Sequence, residues 1–199
     1  MKFLVFTDLH ENKKQLKELV SRAEKDDVDF VISLGDISNF GRGLKNVLNA
    51  FNKVGKPFYV IPGNHEESGT MLDDAVKPFS HVENLHCKDK EVGSYVFLGY
   101  GGGGFAQEDK MFRKVARDWY GRHKGKKIVL LTHGPPFGCN LDLLHEKHVG
   151  NKDYQKFIER VEPKLVLCGH LHETAGQSQK IGKMLLINPG WEGKVVELK

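Results

Sequence analysis

The stretch LVLCGHLHE, residues 165–173, joins an apolar run typical of a buried strand to two histidines that stand two positions apart. In an extended chain, residues i and i+2 point to the same side, so the imidazoles of His170 and His172 would lie next to each other. Imidazole is the commonest protein ligand for transition metals, whereas a pair of imidazoles adds little to packing. The stretch indicates either two metal ligands or a solvated turn, and the rest of the chain distinguishes the two.

Short apolar runs and helix-like patterns alternate along most of the chain. The runs that predict strands lie at residues 2–6, 28–34, 58–61, 127–132 and 164–168. Apolar residues at the spacing of one helix face lie at residues 16–23, 44–51, 111–119 and 153–161. Strands that alternate with helices of this length predict βαβ units and a mainly parallel sheet.

Two regions depart from this alternation. Residues 82–88 and 92–100 look like strands joined by a short polar turn, which predicts antiparallel pairing between them. Residues 177–198 predict short strands that turn at Gly182 and at NPGWEG (188–193). The sequence contains no internal repeat, low-complexity tract or linker, so we expect residues 1–199 to form one α/β domain.

The composition is that of a globular protein without a membrane anchor. The 199 residues are 39% hydrophobic and 28% charged, and no apolar run approaches the ~20 residues that a membrane-spanning helix needs. The N-terminal FLVF is too short for a secretory signal, and three cysteines without a CxxC pair do not indicate a disulfide framework. These features predict a soluble, cytoplasmic protein.

The charge gives no strong signal for nucleic acid. The net charge is +4, and the densest basic run, RHKGKK (122–127), is more typical of a solvated turn than of a binding surface. The run GYGGGG (99–104) fits G-x-G-x-x-G but lacks the acidic residue expected about 20 residues later in a dinucleotide site. It is predicted to be a flexible loop close to the functional site.

Side chains that can bind metal follow each of the five predicted strands. They are Asp8 and His10, Asp36, Asn64 and His65, His133, and His170 and His172. One such histidine alone would usually be a surface or hydrogen-bonded residue. Five of the ten histidines lie at these strand ends, and ligand sites of open α/β sheets form at that edge. The coincidence favours a shared metal site.

The donor set indicates two ions rather than one. Seven of these residues, all except His65, are too many for one tetrahedral ion. With one bridging carboxylate they supply four ligands to each of two divalent ions. Mixed nitrogen and oxygen donors suit Mn, Fe, Co, Ni or Zn better than Ca.

The motifs DLH (8–10), GD (35–36), GNHE (63–66), the isolated His133 and GHLH (169–172), in this order, resemble the calcineurin-like metallophosphoesterase family. The resemblance implies an α/β fold in which a single-domain sandwich of two mixed β-sheets is flanked by helices. It also implies two ligand sets, namely Asp8, His10, Asp36 and His172 for one ion and Asp36, Asn64, His133 and His170 for the other. His65 matches the family's catalytic histidine, which lies beside the leaving group without binding metal.

The implied activity is hydrolysis of a phosphoester by a hydroxide that bridges the two ions. One catalytic zinc alone lowers the pKa of its bound water to about 7, and two cations act together on a shared water. His65 would protonate or stabilise the departing alkoxide. Asn12, Asn39 and His148 are candidate substrate contacts, although Asn12 also suits the cap of the next helix and His148 also suits a surface position.

The second motif predicts a preference for diesters. In the family's protein serine/threonine phosphatases it runs GDxxDRG, whereas residues 35–41 here read GDISNFG. Asn39 replaces an aspartate, and Phe40 replaces an arginine whose planar fork suits the nearly doubly charged monoester. We therefore predict a phosphodiesterase that acts on a small, nucleotide-like diester, unless Arg42 reaches the same oxygens by another path.

Other functions remain as alternatives. A phosphomonoesterase would use the same metals, and a non-catalytic scaffold of the same fold would not need the ligands and His65 that are present here. A DNA nuclease would usually carry an added DNA-binding domain and a stronger positive charge. The expected partner is a small phosphoester and not a membrane, and the sequence leaves homo-oligomer formation open.

Overall fold

Thirteen strands and five α-helices lie within residues 1–25 and 27–199, the part of the chain that the computed structural model describes. The strands are β1 (Lys2–Phe6), β2 (Phe30–Ser33), β3 (Phe58–Val60), β4 (Val82–Asn84), β5 (Lys88–Val92), β6 (Tyr95–Tyr100), β7 (Lys127–Thr132), β8 (Leu143–Leu144), β9 (Lys147–His148), β10 (Leu165–Leu167), β11 (Ser178–Ile181), β12 (Met184–Ile187) and β13 (Lys194–Glu197). The helices are α1 (Lys13–Lys25), α2 (Leu44–Val54), α3 (Met71–Val76), α4 (Lys110–His123) and α5 (Lys152–Val161). Single 3-10 turns lie at Asn140–Asp142 and His172–Thr174.

Eleven of these strands form two mixed sheets. The first has the order β13-β1-β2-β3-β4, and the second has the order β11-β12-β10-β7-β6-β5. The central pairs of both sheets are parallel, whereas β13, β11 and β5 pair antiparallel at edges. This confirms the sandwich of two mixed sheets that the family resemblance implied. The strand pattern alone had indicated one sheet, because periodicity does not reveal which strands share a sheet.

The core consists of three apolar layers, one between the sheets and one beneath the helices on each outer face. Strand β1 shows the principle, because Phe3 and Val5 pack between the sheets while Leu4 and Phe6 pack against α1 and α2. All four side chains are fully buried. Helices α4 and α5 cover the outer face of the second sheet in the same way. Burial on both faces explains why these strands read as continuous apolar runs in the sequence.

The predicted antiparallel pairing of residues 82–88 with residues 92–100 has the wrong bounds. Val82–Asn84 forms β4, which lies parallel to β3 in the first sheet, and only Lys88–Val92 pairs antiparallel with β6. The chain crosses from one sheet to the other between β4 and β5, and the sequence shows no break there. The helix α3 and the hairpin of β8 and β9 were not predicted, because both are too short to establish a hydrophobic period.

The carboxyl ends of strands from both sheets meet at one end of the sandwich. Gly169, after β10, donates its N–H to the carbonyl of His133, after β7, at 2.7 Å. The two sheets are joined there by the His133 ring, whose Nδ1 lies 2.9 Å from the carbonyl of Leu34, after β2.

In the described residues, no helix has the length and apolar character needed to cross a bilayer.

Candidate metal centre

The loops that follow β1, β2, β3, β7 and β10 bring all seven predicted ligands and His65 to this end of the sandwich. The aspartate and histidine side chains among them form three overlapping groups, in each of which the ligand atoms lie within 4.8 Å of one another. The groups are Asp8, His10 and His172; His10, Asp36 and His65; and Asp36, His133 and His170. Asp36 therefore lies between the two predicted ligand sets.

The spacing of these atoms suits coordination of a cation. The Oδ2 of Asp36 lies 3.5 Å from Nε2 of His133 and 3.8 Å from Nε2 of His10, and Oδ1 of Asp8 lies 3.7 Å from Nε2 of His172. These separations are longer than hydrogen bonds. Two donors that each lie about 2.1 Å from one ion are separated by roughly 3 to 4 Å.

Two buried donor atoms support the same interpretation. Oδ1 of Asp8 and Nε2 of His170 are buried and have no hydrogen-bond partner among the described residues. Buried polar atoms are normally paired, because an unpaired one loses its hydration without compensation. A divalent cation in each predicted ligand set would satisfy one of these atoms, so the residues present fit the metals that the motifs imply.

Asn64 joins the cluster through His133. Its Oδ1 lies 3.0 Å from Nε2 of His133, on the side of Asp36 where His170 also lies. The rings of His133 and His170 are in contact, with centroids 5.1 Å apart, so both imidazoles lie in the same half of the site. An amide oxygen and two imidazoles therefore lie together beside Asp36, where they could hold an ion; the ligand roles of Asn64, His133 and His170 stay predictions.

The protonation states of Asp36 and His170 suit metal binding. Burial opposes ionisation of Asp36, but the adjacent His133 imidazole and the backbone N–H of His65 outweigh it and lower the pKa of Asp36 to about 2. Burial and the neighbouring His133 lower the pKa of His170 to about 4. At neutral pH, Asp36 is therefore an anion and His170 a neutral imidazole, which are the forms that bind metal. Burial lowers the pKa of the His133 imidazole, but the carboxylates of Asp36 and Asp8 outweigh it and raise the pKa to about 9, so a metal ion would displace a proton there.

His65 lies at the edge of the cluster. Its backbone N–H donates to Oδ1 of Asp36 at 2.9 Å, and its Nε2 lies 4.0 Å from Oδ2 of Asp36. Its ring contacts His10 on one side and stacks on Phe40 on the other, with centroids 4.8 Å and 4.1 Å away. The position suits a proton donor to a leaving group, although distance alone also permits His65 to bind an ion.

Glu66, the last residue of GNHE, ties two of the site loops together and was assigned no role from the sequence. It is buried, and its Oε2 accepts the N–H groups of Asp36 at 2.8 Å and Gly63 at 3.0 Å. Its Oε1 accepts the N–H and the hydroxyl of Ser38 at 2.9 Å and 2.6 Å. The carboxylate thus fixes the backbone that carries Asp36, a role that a sequence motif does not reveal.

We expect Glu66→Gln to loosen the Asp36 loop. The amide places an NH₂ group opposite donors, which leaves at least one buried N–H unpaired and costs about 1–3 kcal/mol of the free energy of unfolding. Outer-shell changes of this kind typically weaken metal affinity by about 10- to 100-fold. Thermal unfolding and a metal titration measure the two effects, with the neighbouring, more exposed Glu67→Gln as the matched control. Unchanged metal affinity in Glu66→Gln would contradict the role.

Close approach of the same loops requires glycine at two positions. A Cβ on Gly63 would overlap the carboxylate of Asp36, and a Cβ on Gly35 would overlap the backbone of Gly63. Gly35 also has φ 103°, which L side chains rarely adopt. The glycines of the GD and GNHE motifs therefore serve the packing of one loop on the other.

Strained backbone is concentrated at the site. Ten non-glycine residues of the described chain have positive φ, and six of them lie in the site loops: Asp8, His10, Glu11, Asp36, Phe40 and His170. Such conformations cost about 1–3 kcal/mol each and persist where the surrounding structure enforces them, commonly at functional sites. Phe40, at φ 51°, is notable because the conformation is unusual for a bulky residue.

The three candidate substrate contacts have structural partners. Asn12 caps α1, since its Oδ1 accepts the N–H of Gln15 at 3.1 Å. This is the helix-capping role that the sequence indicated as the alternative to substrate contact. The amide of Asn39 donates to the carbonyl of His10 and to the carboxylate of Glu11. His148 lies in β9, and its Nδ1 is 2.6 Å from Oδ1 of Asp142. Contact of these residues with substrate stays a prediction.

The glycine-rich stretch lies beside the cluster, as predicted. A Cβ on Gly104 would stand 3.6 Å from the ring of His170 and 3.7 Å from Asn64. The next residue, Phe105, contacts the His170 ring edge-on at 4.4 Å between centroids. Residues 101–107 contain no helix or strand, so residues 101–104 of the predicted loop lie in a loop at the rim of the site. The prediction is wrong for Gly99 and Tyr100, which end strand β6.

The comparisons with known proteins agree with this geometry. Residues 1–174 match the family model of the calcineurin-like phosphoesterases. The uncharacterized protein MJ1162 of Methanocaldococcus jannaschii is 28% identical over 201 residues, which cover 95% of this chain and 88% of that protein. A probable glycerophosphodiester phosphodiesterase, GpdQ, of Arcobacter nitrofigilis is 25% identical over 162 residues, which cover 74% of this chain and 58% of that protein.

The solved structure of TT1561 of Thermus thermophilus shares the fold. It superposes with a TM-score of 0.78 at 15% identity and covers 96% of this chain and 90% of that one. The family model spans the loops from Asp8 to His172 that form the cluster. This chain therefore belongs to the calcineurin-like phosphoesterases, a family of hydrolases that act on phosphoesters and bind divalent metals.

Proposed function

We propose that this chain is a phosphodiesterase that uses two divalent ions to hydrolyse a small, nucleotide-like diester. The observation that carries the proposal is the position of Asp36, whose carboxylate belongs to both the His10 group and the His133 group of ligand atoms. Asp8, His10 and His172 would complete one site, and Asn64, His133 and His170 the other. Manganese, iron, cobalt, nickel and zinc all suit these donors.

The protein's own groups prepare the site for such a reaction. When bound, the two ions would supply a nucleophile at neutral pH and neutralise charge on the phosphate oxygens. His65 lies next to Asp36 and His10, where its ring can give a proton to the departing oxygen. Glu66 holds the Asp36 loop in place, so the ligands are positioned before substrate arrives.

Two observations favour a diester. Phe40 stands at the position where the protein phosphatases have an arginine, and Asn39 stands where they have an aspartate. The nearby Arg42 is bound by Glu11, since its Nε lies 2.8 Å from the Glu11 carboxylate. A diester carries one negative charge fewer than a monoester at neutral pH, so it depends less on a bidentate arginine. The relative GpdQ is named as a probable phosphodiesterase, which is consistent with this class.

We expect faster hydrolysis of a diester than of a monoester with the same leaving group. The missing arginine removes charge-assisted hydrogen bonds of about 1.5–3 kcal/mol, so kcat/KM should be at least about tenfold lower for 4-nitrophenyl phosphate than for its ethyl ester. Both substrates are assayed with the same metal. Arg42→Ala should change either value less than about threefold, because Glu11 already binds that guanidinium.

Faster monoester hydrolysis would overturn the diester preference. A large drop confined to the monoester in Arg42→Ala would identify Arg42 as the phosphate-binding arginine. Binding of metal without hydrolysis of any ester, tested across diesters, monoesters and cyclic nucleotides, would instead support the scaffold alternative.

A further inference from the structure

Three exposed aromatic side chains stand at the rim of the metal centre. Phe40 is 74% exposed, Phe105 57% and Trp191 37%. The ring contacts, centroid to centroid, are 4.1 Å for Phe40 and His65, 4.4 Å for Phe105 and His170, and 5.9 Å for Trp191 and His172. Single exposed apolar residues need no explanation, but three around one polar cluster indicate a binding surface.

Phe40 and Trp191 stand at the two ends of one row of rings. The row runs Phe40, His65, His10, His172, Trp191, with successive centroid distances of 4.1, 4.8, 5.4 and 5.9 Å. Phe105 lies in the other half of the site, next to His170. Phe40 and Trp191 are therefore separated by His65 and by two histidines of the first predicted ion site, His10 and His172.

Phe40 presents one open ring face. Its ring lies nearly parallel to that of His65, at 16°, so His65 covers one face while most of the side chain stays exposed. The residue adopts φ 51°, an unfavourable backbone conformation for phenylalanine. This φ belongs to a tight turn in which Asn39 and Arg42 exchange both backbone hydrogen bonds. The exposed ring beside the polar cluster, and not the backbone conformation, is what indicates ligand binding.

A phosphodiester has two ester groups that leave phosphorus in different directions. Because His65 is placed to protonate the departing oxygen, the leaving group must lie beside His65 and its stacking partner Phe40. The ester group that stays on phosphorus then points away from Phe40, toward the part of the rim where Trp191 stands. Aromatic side chains bind nucleobases by stacking without regard to base identity.

We propose that Phe40 and Trp191 bind the two ester groups of the substrate and that both groups carry flat aromatic rings, as in a dinucleotide. The inference rests on the proposed diester hydrolysis. Water adds oxygen to phosphorus, the P–O bond to the group beside Phe40 breaks, and that oxygen takes a proton. The product is a monoester that keeps the group beside Trp191.

The test compares two diesters with the same leaving group. Thymidine 5′-(4-nitrophenyl) phosphate and ethyl 4-nitrophenyl phosphate both retain a primary alkoxy group, and only the first retains a base. We expect the wild-type kcat/KM to favour the thymidine ester by about tenfold or more, the size of one stacking interaction. Trp191→Ala should reduce this ratio about tenfold, and Trp191→Phe should preserve it. Phe40→Ala should lower kcat/KM for both esters, because they share the leaving group.

The controls separate this inference from the proposed function. Met111→Ala removes a comparably exposed apolar side chain on α4 and should leave the ratio and both rates unchanged. A ratio that is unchanged in Trp191→Ala, or that changes only in Phe105→Ala, would overturn the role of Trp191. Equal wild-type kcat/KM values for the two esters would show that the substrate does not need an aromatic group. If the wild-type protein hydrolyses no diester in the presence of metal, the proposed function itself is wrong.

Discussion

Asp36→Asn is expected to cause the largest loss of activity of any single conservative change in the site. The asparagine keeps the size of the side chain but removes the anion that lies between the two ligand groups. Two adjacent cations then repel each other without a shared negative charge, so we expect fewer than two ions per chain. Loss of one ion removes several kcal/mol of transition-state stabilisation, which corresponds to a decrease in kcat of roughly 10³-fold.

Metal analysis after dialysis and steady-state kinetics measure the two effects. Asp142→Asn is the matched control, because Asp142 is also a buried carboxylate that accepts backbone N–H groups, from Gly138, Cys139 and Gly150. It should reduce stability but retain both ions. Two tightly bound ions in Asp36→Asn would show that Asp36 does not bridge.

His65→Ala is expected to abolish most activity while the metal content stays the same. A general acid typically contributes about 10²- to 10⁴-fold to the rate. The loss should be greatest for diesters with alkyl leaving groups, which need a proton, and smallest for 4-nitrophenyl esters. A series of leaving groups of graded pKa measures this, with the exposed His81→Ala as a control.

Two other outcomes would reassign His65. Equal losses across all leaving groups would make it a residue that positions phosphate, and loss of an ion would make it a ligand. The second outcome is a real alternative, because Nε2 of His65 lies 4.0 Å from Oδ2 of Asp36, only slightly farther than the 3.8 Å of the predicted ligand His10.

The sequence predicted that these side chains lie together because the basis of that prediction is local. Each predicted ligand closely follows an apolar run, as Asp8 follows FLVF after Thr7 and His133 follows KIVLLT, and the carboxyl ends of parallel strands converge. The helices α1, α2, α4 and α5 were also predicted, since each has an apolar face of several turns. These features can be seen in residues that are neighbours in the chain.

Features that depend on contacts between distant residues were not predicted. Glu66 is one of many glutamates in the sequence, and only the fold brings Asp36, Ser38 and Gly63 around it. The position of β4 in the first sheet likewise depends on its pairing with β3, which the sequence pattern does not show. The exposed rings of Phe105 and Trp191 belong to loops whose positions no periodic pattern determines.

Anomalous diffraction from crystals grown with manganese would locate the ions of this site. We expect two anomalous peaks about 3.5–4 Å apart, with the Asp36 carboxylate between them. One peak should lie beside Asp8 and His172, and the other beside His133 and His170. A single peak, or two peaks of which only one contacts Asp36, would contradict the two-ion site.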